Sequence, residues 1–308
     1  MNSLNRSNKI CIGSANFGLR YGLKNKKTLS DKVIKKIFSF ANKNNINFID
    51  TAISYKKSEV KIGYSNQKNL NIITKISKIP NNVKNVKKWI IDNTILSCKR
   101  LNVTRLYGLL IHNTNDLKNK NKSKEIYKAF DYLITENIVK KIGLSIYEPK
   151  ELDLYFKDYD FKIVQTPINI FDRRIFTSGW LKKLKKKNIE IHARSIFLKG
   201  LLLKNSNKID GAFLKWKKKF IFFEKWTEKN NLSKLEACIR YLKNFKEIDK
   251  VIFGINDEKE LRENLCFLEK KKLNIPNYLS IKSGNILNPK KWNIWIVNNL
   301  FFLIFNII

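Results

Sequence analysis

Cysteine is scarce in this 308-residue chain, and no two of its four copies form a C-x-x-C pair. The four are scattered at Cys11, Cys98, Cys238 and Cys266. This spacing argues against a disulfide framework and against a structural zinc site, and it suits a reducing cytosol. The first residues, MNSLNRSNKICIG, contain too short an apolar run for a secretory signal. We therefore expect a cytoplasmic protein without a metal centre.

Acidic residues are also few, with 26 against 62 basic residues and a formal net charge of +36. Such a field attracts polyanions, so a basic polyanion-binding protein is one hypothesis. However, the lysines are spread over the whole chain, together with abundant Asn and Ile, as biased codon usage would produce. No aromatic signature of RNA binding accompanies them. The composition therefore predicts no specific nucleic-acid partner.

No apolar run reaches the roughly 20 residues that a membrane-spanning helix needs. The strongest candidate is WNIWIVNNLFFLIFNII, residues 292–308, which follows two lysines and is interrupted by four asparagines. This tail could contact a membrane, pack on the protein body or be an appendage. We therefore divide the chain into a body, residues 1–292, and an apolar tail of unknown role, residues 293–308.

No linker rich in Pro or Gly divides the body, and short β-branched runs alternate there with helical patterns. The predicted strands are 9–13, 47–50, 70–76, 106–112, 139–145, 162–167, 189–195 and 249–255. The clearest helix is 83–101, and Ser30, Ser233 and Asp257 lie near the starts of others. The first strand is followed by GSANFG, which does not fit the G-x-G-x-x-G of a doubly wound dinucleotide fold. Eight β-α units in about 270 residues predict an α/β protein with a single (β/α)8 TIM barrel.

Polar side chains stand where three predicted strands end, which is where such barrels carry their chemistry. Asp50 closes the second strand, Lys75 the third and His112 the fourth, and Tyr55 follows in the loop after Asp50. A tyrosine can donate a proton to a developing alkoxide, and a lysine held by an aspartate can lower the tyrosine pKa. A histidine can orient a carbonyl group. The alternative, a structural Asp–Lys ion pair, explains fewer of these positions. The second histidine, His192, lies within the seventh strand and is expected to be structural.

The chain resembles the aldo-keto reductases from about residue 10 to 292. The segments FIDTAISY, IITK and LLIHN are similar to the three that carry the family's catalytic tetrad, in the same order. Further similarities are ANFG, SEVKIG, IGLS, VQTPINIFDRR, RSIFLKGLLL and GINDEKELRENL. The resemblance implies a reductase that transfers hydride from NADPH, with NADH not excluded, to the carbonyl carbon of a small molecule. It also implies that Tyr55 is the proton donor, that Asp50 and Lys75 tune it and that His112 positions the carbonyl oxygen.

The resemblance further implies a cofactor site formed by residues from strands five to eight. These are Ser145, Gln165, Arg194, Ser195, Gly254, Asn256 and Asn264. Four positions depart from the family pattern. Ile146 stands where many members have an asparagine, Lys56 and Lys57 follow Tyr55 where a small residue, often glycine, is usual, and Glu260 stands where some relatives place an arginine for the 2′-phosphate. The last change weakens the expected preference for NADPH, although Lys259 or Arg262 could compensate.

The substrate is less defined than the reaction. RSIFLKGLLL and ILNPKKW resemble a bacterial branch linked to surface-sugar biosynthesis, which suggests a sugar aldehyde or keto-sugar. An insertion at about residues 200–232 carries aromatic residues that either line a pocket or pack the loop onto the barrel: Trp216, Phe220, Phe222, Phe223 and Trp226. A catalytically silent barrel that binds nucleotide as a sensor or partner subunit is the alternative function.

Overall fold

The computed structural model describes residues 7–22, 27–65, 67, 69–157, 159–282 and 284–292. Eight parallel strands pair in chain order, and β1 also pairs with β8, so the sheet closes into a barrel. The strands are β1 Ile10–Gly13, β2 Phe48–Asp50, β3 Asn71–Ile76, β4 Leu106–Ile111, β5 Val139–Ser145, β6 Ile163–Pro167, β7 Glu190–Arg194 and β8 Lys250–Gly254. The predicted (β/α)8 barrel is confirmed, and its strand boundaries agree with the prediction to within one residue.

The α-helices lie between the strands along the chain. They are α1 Ala15–Gly18, α2 Asp31–Lys43, α3 Ser58–Tyr64, α4 Val86–Leu101, α5 Lys120–Thr135, α6 Lys150–Tyr155, α7 Arg174–Thr177, α8 Trp180–Lys186, α9 Lys217–Lys229, α10 Lys234–Leu242, α11 Glu258–Glu269 and α12 Gly284–Leu287. Short 3₁₀ turns lie at Thr114–Leu117, Leu198–Leu203, Ser206–Lys208, Gly211–Trp216 and Asn277–Leu279.

The starts of four of these helices carry side-chain caps. The capping residues each accept a hydrogen bond from the backbone N–H three residues on, which satisfies a donor that the helix cannot use: Asn85, Asn119, Ser233 and Asp257. Ser30 occupies the capping position of α2 with extended backbone, but its side chain makes no capping hydrogen bond. The predicted helix start near Ser30 is therefore confirmed.

Buried apolar side chains fill the space inside the barrel and the layer between the strands and the helices. The inner cluster consists of Cys11, Phe48, Ile73, Leu110, Ile163 and Ile252. Gly143 leaves the room that this packing needs, because a Cβ atom there would lie 2.1 Å from the carbonyl oxygen of Ile163. The barrel interior is therefore a packed core, and chemistry is confined to its ends.

The aromatic residues of the insertion pack mainly onto the barrel. Phe220 and Phe223 are buried, and their rings lie 5.1 and 6.2 Å from that of Phe171. Trp216 is buried as well, whereas Phe222 is exposed. The packing hypothesis for this segment is therefore the correct one for most of its aromatics.

The predicted tail, residues 293–308, lies outside the described residues. Trp292, the last described residue, is buried, and its Nε1 donates to the carbonyl oxygen of Ile286 at 3.0 Å. Within the described part of the chain, no helix combines the length and the apolar character needed to cross a bilayer.

A polar cluster lies near the amino ends of the strands, at the end of the barrel opposite the predicted site. Glu190 accepts hydrogen bonds from Tyr107 and Lys141, both at 2.5 Å, and its second oxygen lies 3.2 Å from Nε2 of His192. His192 is fully buried, so the expectation of a structural histidine is confirmed. Burial alone would raise the pKa of Glu190, but the hydrogen bonds from His192, Lys141 and Tyr107 outweigh it and lower the pKa to about 2.

We expect Glu190→Gln to lower the free energy of unfolding by about 3 kcal/mol at pH 7. The reason is that a lower pKa in the folded state than in the unfolded state means that the ionised Glu190 stabilises the fold. This stability is fully present when the pH is above about 4.5, the pKa of the carboxyl in the unfolded state. It is lost as the pH falls toward 2, the pKa of Glu190 in the folded state. Urea unfolding at pH 7 and at about pH 3 measures both values, with the exposed Asp160→Asn as control. An equal cost of Glu190→Gln at the two pH values would contradict the linkage.

Candidate active site

A buried ion pair joins the ends of β2 and β3. The ammonium of Lys75 lies 2.6 and 2.7 Å from the two carboxylate oxygens of Asp50 and donates to the carbonyl oxygen of Thr51 at 2.7 Å. Both charged side chains are buried. Burial lowers the pKa of Lys75, and the charge and hydrogen bond of Asp50 oppose that shift. All three ammonium hydrogens therefore have acceptors, and the charge is fixed in place.

Gln165, in the middle of β6, also holds the aspartate. Its Nε2 donates to Oδ1 of Asp50 at 2.5 Å, which orients the amide so that Oε1 points elsewhere as an acceptor. The sequence gives no sign of this contact, because 115 positions separate the two residues. Asp50 thus orients both Lys75 and Gln165.

Tyr55 and His112 lie beside this ion pair. Their ring centroids are 6.0 Å apart at 83°, and the Lys75 ammonium is 5.4 Å from the tyrosine ring centroid. Gly18, the last residue of the ANFG segment, allows this approach, because a Cβ atom there would lie 2.0 Å from the carbonyl oxygen of Tyr55. The four predicted catalytic residues therefore meet at the carboxyl end of the barrel.

The residue after Tyr55 explains why glycine is usual there. Lys56 has φ +50, the left-handed backbone conformation that a side chain disfavours. The chain thus keeps this turn despite the substitution.

The ionisation of Tyr55 differs from the expectation. Burial raises the pKa of the phenol well above its usual value, Asp50 and Tyr147 raise it further, and Arg194 opposes the shift. Burial therefore outweighs the lowering expected from Lys75, whose ammonium lies 5.4 Å from the ring centroid and is bound to Asp50. The phenol is consequently protonated at neutral pH.

His112 is neutral at the same pH. Burial lowers its pKa well below the usual value, and the positive charges of Lys75, Lys290 and Arg194 lower it further. Its Nδ1 lies 3.4 Å from the Ser54 hydroxyl. A neutral imidazole carries one N–H donor, which suits it to hydrogen-bond an uncharged oxygen.

Ser145, Gln165 and Arg194 lie on neighbouring strands beside the predicted catalytic residues. Ser145 pairs in register with Gln165, and Pro167 pairs with Arg194. The Arg194 guanidinium donates to the carbonyl oxygen of Ile146 at 2.6 Å and to the Ser195 hydroxyl at 3.1 Å. Arg194 therefore contacts the position where Ile146 removes the expected asparagine.

Two buried polar atoms here have no hydrogen-bond partner among the described residues. They are Oε1 of Gln165, an acceptor, and Nε of Arg194, a donor. Buried polar atoms without partners are uncommon and call for an explanation. A ligand that bears both N–H and C=O groups could satisfy both.

The segment after β7 has an unusual backbone. Ser195, Leu198 and Lys199 have φ of +56, +49 and +54, which is uncommon for residues other than glycine. Such conformations cluster at functional sites, where the surrounding structure holds them. Here they place the side chain of Lys199 against the rings of Tyr21 and Trp292.

The end of β8 and the start of α11 form the remaining part of the predicted cofactor site. Asn256 accepts a hydrogen bond from Asn16 at 2.9 Å, and its own backbone N–H donates to Glu260 at 2.8 Å. The Glu260 carboxylate also accepts from the Asn256 side chain at 3.0 Å. Gly254 is exposed, and Asn264 is buried on the same helix as Glu260. An acidic group therefore covers this helix start.

Four residues that the sequence interpretation did not assign also lie at this end. Tyr21, Tyr147, Lys290 and Trp292 come from three separate loops and carry no strand-end signal. Tyr147 contacts Arg194, and Lys290 contacts both Tyr147 and the backbone of His112. Among the described residues, no group of three or more His, Cys, Asp or Glu side chains is arranged to hold a metal ion.

Comparison with known proteins gives consistent results. The family model described as "Aldo/keto reductase family" matches residues 9–285. Over 152 residues the chain is 27% identical to "Uncharacterized oxidoreductase YqkF" of Bacillus subtilis (strain 168), covering 46% of this chain and 48% of that protein. The chain thus matches about half the length of this curated relative.

Solved structures show a similar fold. The holo form of aldo-keto reductase AKR11C1 from Bacillus halodurans has a TM-score of 0.71 and 18% identity, covering 86% of this chain and 88% of that one. Its apo form has a TM-score of 0.66, also at 18% identity, covering 80% of this chain and 83% of that one. At this identity the similarity shows the fold alone.

Proposed function

Because the chain belongs to the aldo/keto reductase family, we propose that it reduces an aldehyde or ketone to the alcohol with a nicotinamide cofactor and with Tyr55 as the proton donor. The observation that carries this proposal is the meeting of Tyr55 and His112 beside the buried Asp50–Lys75 ion pair. A packed core separates this group from the other end of the barrel, so its polar atoms serve a ligand at the carboxyl end.

The residues around the ion pair fit a nicotinamide ring. A primary carboxamide offers N–H donors and a carbonyl acceptor, which match the partnerless Gln165 Oε1 and Arg194 Nε. We propose that Ser145, Gln165, Arg194 and Ser195 hold this part of the cofactor, and that Gly254, Asn256 and Asn264 hold its adenosine end. The chemistry that the reduced cofactor supplies when bound is the hydride that adds to the carbonyl carbon.

The protein's own part is to bind the carbonyl oxygen and to supply a proton. Neutral His112 donates a hydrogen bond to that oxygen, and protonated Tyr55 transfers its proton as negative charge develops there. Lys75 and Arg194 place positive charge nearby, which stabilises the developing alkoxide. Asp50 keeps Lys75 charged and in place, so no reorganisation is needed when the charge forms.

Consumption of reduced cofactor tests the proposal. NADPH and NADH would be supplied with aldehydes, ketones and keto-sugars, and the loss of the reduced nicotinamide absorbance would be followed. Carbonyl-dependent oxidation of either cofactor supports a reductase. Tight cofactor binding without turnover of any carbonyl would instead favour a nucleotide-binding barrel that is catalytically silent.

We propose NADPH as the cofactor, with weak discrimination against NADH. The Glu260 carboxylate lies at the start of α11, where the resemblance implies the adenosine phosphate, and it repels an additional phosphate. Arg262 cannot readily compensate, because it pairs with Glu258 at 2.7 Å and stacks 4.6 Å from the centroid of the Phe40 ring.

Glu260→Gln is expected to lower the KM for NADPH about 5- to 10-fold, because it removes the repulsion of roughly 1 kcal/mol but keeps an oxygen that Asn256 can donate to. The KM for NADH should change less than twofold. Glu269→Gln, about 13 Å further along the same helix, is the matched control. An equal change for the two cofactors would contradict a role of Glu260 in phosphate discrimination.

A further inference from the structure

Three cations surround the mouth of the candidate active site, and we call them the mouth cations: Arg194, Lys199 and Lys290. The Arg194 guanidinium lies 4.0 Å and the Lys290 ammonium 4.8 Å from the centroid of the same Tyr147 ring. The Lys290 ammonium is also 3.4 Å from the carbonyl oxygen of His112. It therefore lies close to the imidazole that the proposed function places at the substrate carbonyl.

Lys199 approaches from the opposite loop. Its ammonium lies 5.5 Å from the ring centroid of Tyr21 and 5.6 Å from that of Trp292. The residue is half-buried, held there by the left-handed backbone at Lys199 and Gly200. Each mouth cation therefore lies against at least one aromatic ring.

None of the mouth cations has a carboxylate partner within 4.0 Å among the described residues. The neighbouring basic residues do: Lys291 is 3.6 Å from Glu148, and Arg174 pairs with Asp172 at 2.8 Å. The nearby Glu151 is occupied, since it accepts from the backbone N–H groups of Tyr147 and Glu148. The nearby acids therefore make their direct contacts elsewhere, and the mouth cations have no direct ion-pair partner in the described part of the chain.

The charge of the mouth cations acts on the predicted catalytic group. Burial lowers the pKa of Lys290, Arg194 lowers it further, and Glu151 opposes the shift. Lys290 and Arg194 also add to the lowering of the His112 pKa that burial and Lys75 produce. Mutual repulsion of cations in a partly desolvated space is unfavourable until an anion binds between them. The chain-wide excess of lysine does not account for this, because Arg194 and Lys290 contact the same tyrosine ring, and Lys290 also contacts the backbone of His112.

We propose that the substrate is an anionic carbonyl compound, whose carboxylate or phosphate is bound by Lys290, with Lys199 and Arg194 adding positive charge. This inference rests on the proposed carbonyl reduction. The carbonyl oxygen then faces Tyr55 and His112, while the oxyanion lies on the Tyr147 side. Charge-assisted hydrogen bonds to an oxyanion are the stronger class, so a single lysine can decide between a charged and a neutral substrate.

Matched substrates that differ only in charge test the proposal. 4-Carboxybenzaldehyde and its methyl ester share the ring and the aldehyde, and glyceraldehyde 3-phosphate and glyceraldehyde form the phosphate pair. The wild-type protein should have a kcat/KM at least about 10-fold higher for the anionic member of one pair. The pair that shows this preference distinguishes a carboxylate substrate from a phosphate substrate.

Lys290→Gln should remove that preference. For the anion the variant should raise KM about 10- to 100-fold with little change in kcat, and for the neutral member it should change neither value more than twofold. Lys290→Arg should restore most of the anion's kcat/KM. Lys246→Gln controls for the change in net charge. Lys246 is an exposed lysine in the loop before β8, which lies at the other end of the barrel.

The outcomes separate this inference from the proposed function. Turnover of both members of each pair at equal efficiency, or equal losses for both in Lys290→Gln, would overturn the anion site but leave the reductase intact.

If no carbonyl is turned over, the proposed function fails, and a binding measurement tests the anion site instead. Tryptophan fluorescence titration with 4-(hydroxymethyl)benzoate and its methyl ester should then show tighter binding of the anion that is lost in Lys290→Gln. Equal binding of the two would overturn it.

Discussion

Tyr55→Phe is expected to lower kcat for carbonyl reduction by about 10²- to 10⁴-fold, the range that one general acid contributes. The phenol is the candidate proton donor, since its raised pKa keeps it protonated at neutral pH. Phenylalanine keeps the ring that packs 6.0 Å from His112, so the site retains its shape and only the proton is lost. Initial rates at saturating cofactor and carbonyl measure the effect, and fluorescence titration checks that the cofactor still binds.

Tyr64→Phe is the matched control, because it makes the same chemical change at a tyrosine that is 79% exposed at the end of α3. It should leave kcat unchanged. Equal rates for wild type and Tyr55→Phe would rule out Tyr55 as the acid and would move the role to another group, with His112 the next candidate.

Lys75→Met is expected to lower the free energy of unfolding by about 3 to 5 kcal/mol and to abolish measurable reduction. Both effects have one cause: the ammonium bound to Asp50 at 2.6 Å is removed, and a buried carboxylate is left without its counter-ion. Urea unfolding gives the stability, and initial rates give the activity. Lys88→Met removes a lysine of similar ion-pair geometry that is 70% exposed, and it should cost less than about 1 kcal/mol.

The double variant Asp50→Asn/Lys75→Met separates stability from catalysis. The neutral amide no longer needs a counter-ion and can still accept from Gln165, so most of the lost stability should return. Activity should not return, because the Lys75 charge near the developing alkoxide stays absent. A double variant that reduces carbonyls at near the wild-type rate would show that the ion pair is only structural.

The sequence predicted the barrel well because burial on both faces of a parallel strand leaves a local signal. Runs such as LNIITKI and LYGLLIH are mostly apolar, and the charged or polar residues near their ends mark the site, so Lys75 and His112 could be found by position alone. The alternation of these runs with helical patterns then gave the topology. No long-range information was needed for either step.

The contacts within the site required the folded barrel. The hydrogen bond of Gln165 to Asp50 joins residues 115 positions apart, and neither residue signals the other in the sequence. The direction of the Tyr55 pKa shift depends on burial and on the charges that face the phenol, which strand assignment does not determine. Lys199 and Lys290 were missed for a similar reason: in a chain with 62 basic residues, only three-dimensional position distinguishes Lys290 from its exposed neighbours.

Transfer of deuterium from the cofactor to the product tests the central claim most directly. The protein would be incubated with an aldehyde and with NADPH deuterated at both C4 positions of its dihydronicotinamide ring, and the alcohol would be analysed by NMR and mass spectrometry. The account predicts one deuterium on the carbinol carbon of each product molecule, formed by wild type and nearly absent with Tyr55→Phe. Alcohol that carries no deuterium, or cofactor that binds while no tested carbonyl is reduced, would contradict it.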